Sequence, residues 1–222
     1  MDEIKIITLK QSVFADNNKD ADLLRASLKD AKTFLINLMS SPGSGKTTTL
    51  VALSKILTKQ WRMAIMEADI DSKVDAETLQ KAGVDSIQLH TGGMCHLDAD
   101  MTRQGLLELG HENYDLVILE NVGNLVCPAE FDTGAVKNIT ILSVPEGHDK
   151  PLKYPLMYET CDLLIVNKID VLPYFDFDCD QLVRYAKMRN PNIDILFVSA
   201  KTGEGIDSVA DWISQNIAQW IK

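Results

Sequence analysis

The sequence predicts an α/β fold, a mostly parallel sheet flanked by helices on both faces. Three observations predict it. Short apolar runs alternate with helix-patterned stretches, as consecutive βα units do. Four of the runs, "DLVILENV", "NITILSV", "DLLIVNK" and "DILFVSA", are nearly continuously apolar, as strands covered on both faces are. The first run is followed directly by a glycine-rich turn, "SSPGSGKTTT", that opens a helix.

Taken in order, "ADNNKDADLLRASLKDAK" reads as a charged helix leading into the domain. "TFLINLMS" (33–40) is the first strand, and a helix begins near Gly45. "RMAIMEAD" (62–69) is the second strand, "DAETLQKAG" (75–83) a helix and "DSIQLHT" (85–91) the third strand. "CHLDADMTRQGLLELG" (95–110) has helical spacing, with Leu97, Met101, Leu106 and Leu109 as its apolar face. The four continuous runs at 115–122, 138–144, 162–168 and 194–200 complete the sheet, and "GIDSVADWISQNIAQW" closes the chain as a helix. Right-handed crossovers between parallel strands follow, with ligands at the strands' carboxyl ends.

Composition narrows the function. The 222 residues suit one domain, and no composition shift marks a second; residues 1–30 read as an N-terminal extension. The net charge of −10 repels phosphate backbones and anionic lipid, so neither nucleic acid nor membrane is expected as a partner. The start "MDEIKIITLKQSV" is too acidic for a secretory signal, and a cytoplasmic protein is expected. The four cysteines (Cys95, Cys127, Cys161 and Cys179) fit no secreted disulfide framework.

"SSPGSGKTTT" matches G-x-x-x-x-G-K-[ST] at Gly45, Lys46 and Thr47, with Ser40 in place of the first glycine. Gly43, Ser44 and Gly45 let backbone N–H groups cradle phosphates, and the following helix adds its positive end. Lys46 reaches the β/γ oxygens, Thr47 coordinates Mg²⁺, and Thr48 continues the loop. "VNKID" places Asn167, Lys168 and Asp170 after a buried strand. A carboxylate at Asp170 accepts from both N1–H and the exocyclic amine of guanine, a donor pair adenine lacks. "VSAKTGEG" brings Ser199, Ala200 and Lys201 to the base after the next strand. The combination selects GTP and GDP. Asp69 and Glu120 are the candidate carboxylates for Mg²⁺. Asp75 and Gly123, the latter in "ENVGN", are the candidate γ-phosphate sensors beside Lys46. No glutamine stands beside Gly123 to position water, so slow hydrolysis is expected.

Cys95 and His96 follow the third strand, and Cys127 follows the fourth. Both segments belong at the phosphate-loop edge of the sheet, where a Cys/His set suits Ni²⁺, Zn²⁺ or copper. With the helix starting at Cys95, the two neighbouring side chains are expected to point apart. A two-fold interface then completes the site, giving a homodimer with metal at its seam. Cys161 and Cys179 read as structural, and His90, His111 and His148 as ordinary polar residues.

"SSPGSGKTT", "GMCHLDADM", "ENVGNLVCPAEFD", "EGHDKPLKYP" and "VNKID" together closely resemble the hydrogenase nickel-incorporation GTPases, the HypB-type accessory proteins. The resemblance implies a P-loop NTPase of the SIMIBI type. It also implies a nickel chaperone acting in [NiFe]-hydrogenase maturation, whose partners are a maturation protein and the hydrogenase large subunit. Its metal ligands fall on Cys95, His96 and Cys127. The related urease accessory GTPases place a proline between cysteine and histidine and are the alternative, as is a regulatory GTPase without a metal role. This chain departs from many relatives in carrying neither a cysteine-rich nor a histidine-rich N-terminal run. Asp98, Asp100 and Gln104 stand where some relatives carry further histidines.

Overall fold

The computed structural model describes the backbone of residues 2–69, 83–90 and 94–222 and the side chains of 16–68, 83–90 and 94–222. The chain opens with α1 (Asp2–Ala31), followed by β1 (Phe34–Ser40), α2 (Lys46–Leu57), β2 (Met63–Asp69), β3 (Asp85–His90) and α3 (Ala99–Leu109). Then come β4 (Leu116–Glu120), the single turn α4 (Cys127–Glu130), β5 (Lys137–Ser143) and two short helices, α5 (Lys150–Lys153) and α6 (Pro155–Glu159). β6 (Leu163–Asn167), α7 (Cys179–Arg189), β7 (Asp194–Phe197) and α8 (Ile206–Trp220) complete it. Of the helix expected over 75–83, residues 75–82 lie outside the described residues, and Gly83 is in a turn.

Among the described residues seven strands form one sheet in the order β3-β2-β4-β1-β5-β6-β7. Every neighbouring pair is parallel. The continuous apolar runs are the reason: β1, β4 and β6 are buried at every position, which requires cover on both faces. The edge strands β3 and β7 are only partly covered.

Alternation along β1 divides the core. Phe34, Ile36 and Leu38 pack under α2 and α8 against Leu50, Leu53, Val209 and Ile213. Leu35 faces the opposite side with Leu24 and Leu28 of α1 and Leu106 of α3. Met39 joins Met157, Tyr158 and Leu182 under α6 and α7. The helix read as an extension is therefore packed against the sheet: Leu24 and Leu28 are 4% and 0% exposed. Burying each such side chain is worth about 1.5–3 kcal/mol.

One element starts later than its pattern suggests. α3 begins at Ala99, not at Cys95. The reason is local: Asp98 takes an extended backbone and its carboxylate accepts the Met101 N–H at 2.8 Å, an N-cap that ends the preceding irregular segment. Leu97 is buried as expected, and Met101 and Leu109 pack against the same core. Parallel strands with their carboxyl ends together deliver the loops after β1, β4, β5 and β6 to one edge of the sheet.

Candidate functional site

The loop between β1 and α2 is built for an anion. Gly43 and Gly45 hold left-handed backbone, φ 76° and 98°. Gly45 is the N-cap of α2 and supplies no side chain to its first-turn N–H groups, leaving them for a ligand. A Cβ at Gly45 would stand 2.5 Å from Asn167 Nδ2, so only glycine fits. Lys46 Nζ donates to Ser40 Oγ at 2.9 Å. The serine in the usual glycine position thus holds the lysine over the loop.

The loop after β6 locks onto this one. Asn167 Nδ2 donates to the Ser44 carbonyl at 2.9 Å, while its Oδ1 accepts the Ala200 N–H at 3.1 Å. Lys168 Nζ donates to the Gly43 carbonyl at 2.7 Å. Ser199 Oγ donates to Asp170 Oδ1 at 2.7 Å. Lys201 is exposed just beyond. Hydrogen bonds through Asn167 and Lys168 thus join three loops that carry predicted nucleotide residues. Glu146, at the end of the 3-10 turn Val144–Glu146, adds a fourth contact. One of its oxygens accepts Ser143 N–H and Oγ–H, both at 2.8 Å, and the other accepts the Ser41 hydroxyl. The first residue of "EGHDKPLKYP" thus braces the phosphate loop, a link the sequence did not disclose.

A cavity of about 620 Å³ opens beside the loop, lined by Gly43, by Gly45 through Thr48, and by Lys168, Glu67, Glu120 and Gly123. Glu67 and Glu120 face each other in register on β2 and β4 and are 2% and 7% exposed. Two buried carboxylates beside the Thr47 hydroxyl form the oxygen donor set a hard cation takes, so the residues present fit Mg²⁺. Glu67 was not singled out from sequence; a carboxylate in the interior of the mostly apolar run "AIMEAD", two residues before Asp69, was the available signal. Asp69 closes β2 in register with His90, and its side chain lies outside the described residues, as does Asp75. Gly123 lies against Pro42, where a Cβ would come within 3.1 Å of the ring.

Cys95 and His96 lie in the bend before α3, and their Sγ and Nδ1 are 3.9 Å apart. The expected divergence at a helix start does not occur, because the helix starts four residues later, at Ala99. Cys127 is the first residue of α4, and its thiol acts on that of Cys95. That interaction, with burial, pushes the Cys95 thiol up. Burial lowers His96, whose ring stacks on Phe131 at 3.8 Å between centroids and 10° between planes. So the three predicted ligands are neighbours in one chain. Among the described residues, however, no group of three or more such side chains is arranged to hold an ion. Asp98 and Asp100 are engaged elsewhere: Asp98 caps α3, and Asp100 binds Arg103 and, at 2.6 Å, Gln104. Cys161 is buried, and Cys179 is the half-buried first residue of α7. His111 is buried against Thr33, and His148 accepts the Asp178 N–H at 3.2 Å.

The fold and this site define a P-loop NTPase of the guanine-nucleotide class, with a thiol and imidazole pair on the same edge. The family model described as CobW/HypB/UreG, nucleotide-binding domain, matches residues 34–197. The hydrogenase maturation factor HypB of Azotobacter vinelandii is 40% identical over 215 residues, 97% of this chain and 71% of that protein. The crystal structure of HypB from Helicobacter pylori in complex with nickel superposes with a TM-score of 0.86 at 36% identity, covering 92% of this chain and 96% of that one. HypB from Archaeoglobus fulgidus gives 0.85 at 32%, covering 91% and 99%. The chain belongs to the HypB-type hydrogenase maturation GTPases of the CobW/HypB/UreG family. Among the described residues no helix is long and apolar enough to cross a membrane.

Proposed function

We propose that this protein is a GTP-hydrolysing nickel metallochaperone that loads and releases Ni²⁺ during [NiFe]-hydrogenase maturation. It passes the ion, with a maturation partner, toward the hydrogenase large subunit. The observation that carries the reading is the meeting of Cys95, His96 and Cys127 on the phosphate-loop edge, with Cys127 four residues beyond Gly123. The nickel-bound Helicobacter pylori HypB, similar along nearly its whole length, supports the choice of ion. Zn²⁺ suits the same donors and is the competing ion.

The nucleotide chemistry follows from the loop. GTP draws Lys46 from Ser40 to the β/γ oxygens, and the α2 N-terminus faces the phosphates. Thr47, Glu67 and Glu120 would hold Mg²⁺, with Asp69 beside them, and the ion would neutralise phosphate charge. Asp170 reads guanine, steadied by Ser199. The N–H of Gly123 senses the γ-phosphate, with Asp75 assigned to the same movement. Among the described residues no glutamine lines the cavity, and hydrolysis is slow, so the enzyme works as a timer rather than as a high-turnover hydrolase.

Three ligands are one short of the four donors usual for Zn²⁺ or a planar Ni²⁺ site. A second copy supplies the remainder across a two-fold axis. Met94 and Val126, directly preceding Cys95 and Cys127, are 41% and 49% exposed, leaving apolar surface at that seam. The test is a nickel titration of the wild type, Cys95→Ala and Cys127→Ala, each with GDP and with a non-hydrolysable GTP analogue. Each substitution is expected to weaken nickel at least tenfold while GDP affinity holds. Wild-type nickel affinity in both variants would leave a GTPase with no metal role.

A further inference from the structure

The metal ligands sit on two segments that belong to different strand connections. Cys95 and His96 follow β3, and Cys127 follows β4. We propose that Asn17 of α1 is the positioning residue that holds these two segments beside each other. This rests on the reading of Cys95, His96 and Cys127 as ligands.

Asn17 is buried, 9% exposed, and its carboxamide spans the gap. Oδ1 accepts the Ala99 N–H at 2.9 Å, three residues beyond His96. Nδ2 donates to the Asp132 carbonyl at 3.0 Å, five residues beyond Cys127. Ala99 opens α3, so its N–H has no partner within the helix, and Asn17 supplies one. One amide offers a donor and an acceptor on the same plane, and no other side chain of that length and charge provides both.

The Asp132 side is fixed a second time from the same helix. Arg25 donates from two nitrogens to the two Asp132 oxygens, each at 2.8 Å, and Asp132 Oδ1 also accepts the Gly134 N–H at 2.9 Å. Phe131, next to Asp132, carries the ring on which His96 stacks. Displacing Asp132 therefore moves Phe131 relative to His96, and Cys127 relative to Cys95. α1 lies on the sheet face opposite α2, so the same displacement leaves the phosphate loop alone. Outer partners of metal ligands typically change affinity 10–100-fold when removed.

The experiment titrates Ni²⁺ into the full chain, loaded with GDP or with a non-hydrolysable GTP analogue. Thiolate-to-nickel absorbance reports on the ligand set, and fluorescent GDP reports on the nucleotide site. Asn17→Ala and Asn17→Asp are compared with wild type, Cys95→Ala and Cys127→Ala. Aspartate keeps the acceptor for Ala99 and removes the donor to Asp132, so it separates joining the segments from capping α3. Both Asn17 variants are expected to weaken nickel about tenfold or more and to alter the charge-transfer band, with GDP affinity within twofold. Wild-type nickel affinity in Asn17→Asp, while Cys95→Ala abolishes the band, overturns the clamp. If Asn17→Ala loses GDP binding through misfolding, Asn17→Asp alone decides. If both cysteine variants bind nickel as wild type does, the metal reading falls and the clamp falls with it.

Discussion

Asp170 has one carboxylate oxygen held in place. Its Oδ1 takes the Ser199 hydroxyl, and Ser199 Oγ in turn accepts the Thr202 N–H at 3.2 Å. Asp170→Asn replaces an acceptor with a donor at the guanine edge while preserving shape. Losing a charge-assisted hydrogen bond of this kind costs about 1.5–3 kcal/mol. GTP affinity is expected to fall by that amount and xanthosine triphosphate to improve, measured by competition for fluorescent GDP; unchanged GTP affinity would remove Asp170 from the site. Residues of this sort were legible because their chemistry is local: Gly43 to Thr47 and Asn167 to Asp170 form short motifs after strands. Asn17 was not legible, because its partners are 82 and 115 residues away and an asparagine in a charged helix reads as solvated. Glu146 was equally silent, since its bond to Ser41 spans 105 residues. Glu67, the register partner of Glu120, was not singled out because Asp69 at the strand's end was the carboxylate chosen there.

At the scale of elements, the strands announced themselves because burial on both faces leaves little room for polar residues. The exception is informative. Asn37 is 2% exposed in the middle of β1, where it donates to Asn138 of β5 at 3.0 Å and accepts from Asn121 beyond β4 at 3.0 Å. A buried polar side chain persists only when so paired. The start of α3 was misplaced because Leu97 continues the helix's apolar spacing; the Asp98 cap was the counter-signal. α1 was underrated for a similar reason: charged along most of its surface, it still buries Leu24 and Leu28. Its seat is tight at Gly134, which has φ 77° and where a Cβ would lie 2.7 Å from Leu24 Cδ2 and 3.1 Å from its Cβ. Gly134→Ala adds a left-handed penalty of about 1–2 kcal/mol to an overpacking cost of about 1–3 kcal/mol. A loss of about 2–5 kcal/mol in denaturant unfolding is expected, with the phosphate loop's GDP affinity retained in the folded fraction. Wild-type stability would mean that α1 is not seated there.

The whole molecule joins two sites through one sheet edge, and linkage states what that arrangement requires. If nickel is gripped by ligands from two chains, dimerisation must raise nickel affinity. By reciprocity, nickel must then tighten the dimer by the same factor. On the proposed reading, GTP would enter through the segment 121–127: the γ-phosphate would be read at Gly123, and Cys127 opens α4 four residues later. Ordering that segment would present Cys127 to the seam, so the triphosphate would favour the dimer and hydrolysis would loosen it. A ligand shifts such an equilibrium only by its difference in affinity between the two states. The bend holding Cys95 and His96 is pre-formed, with the two donors 3.9 Å apart, so nucleotide has only the Cys127 side left to organise. Sedimentation equilibrium with GDP and with a non-hydrolysable GTP analogue, each with and without nickel, gives all four corners of the cycle. The dimer is expected to be tightest with analogue plus nickel and weakest with GDP alone. The factor by which nickel tightens the dimer should equal the factor by which dimerisation tightens nickel. A mass that stays monomeric at all four corners would remove the shared site, and a dimer indifferent to nickel would place the ion within one chain.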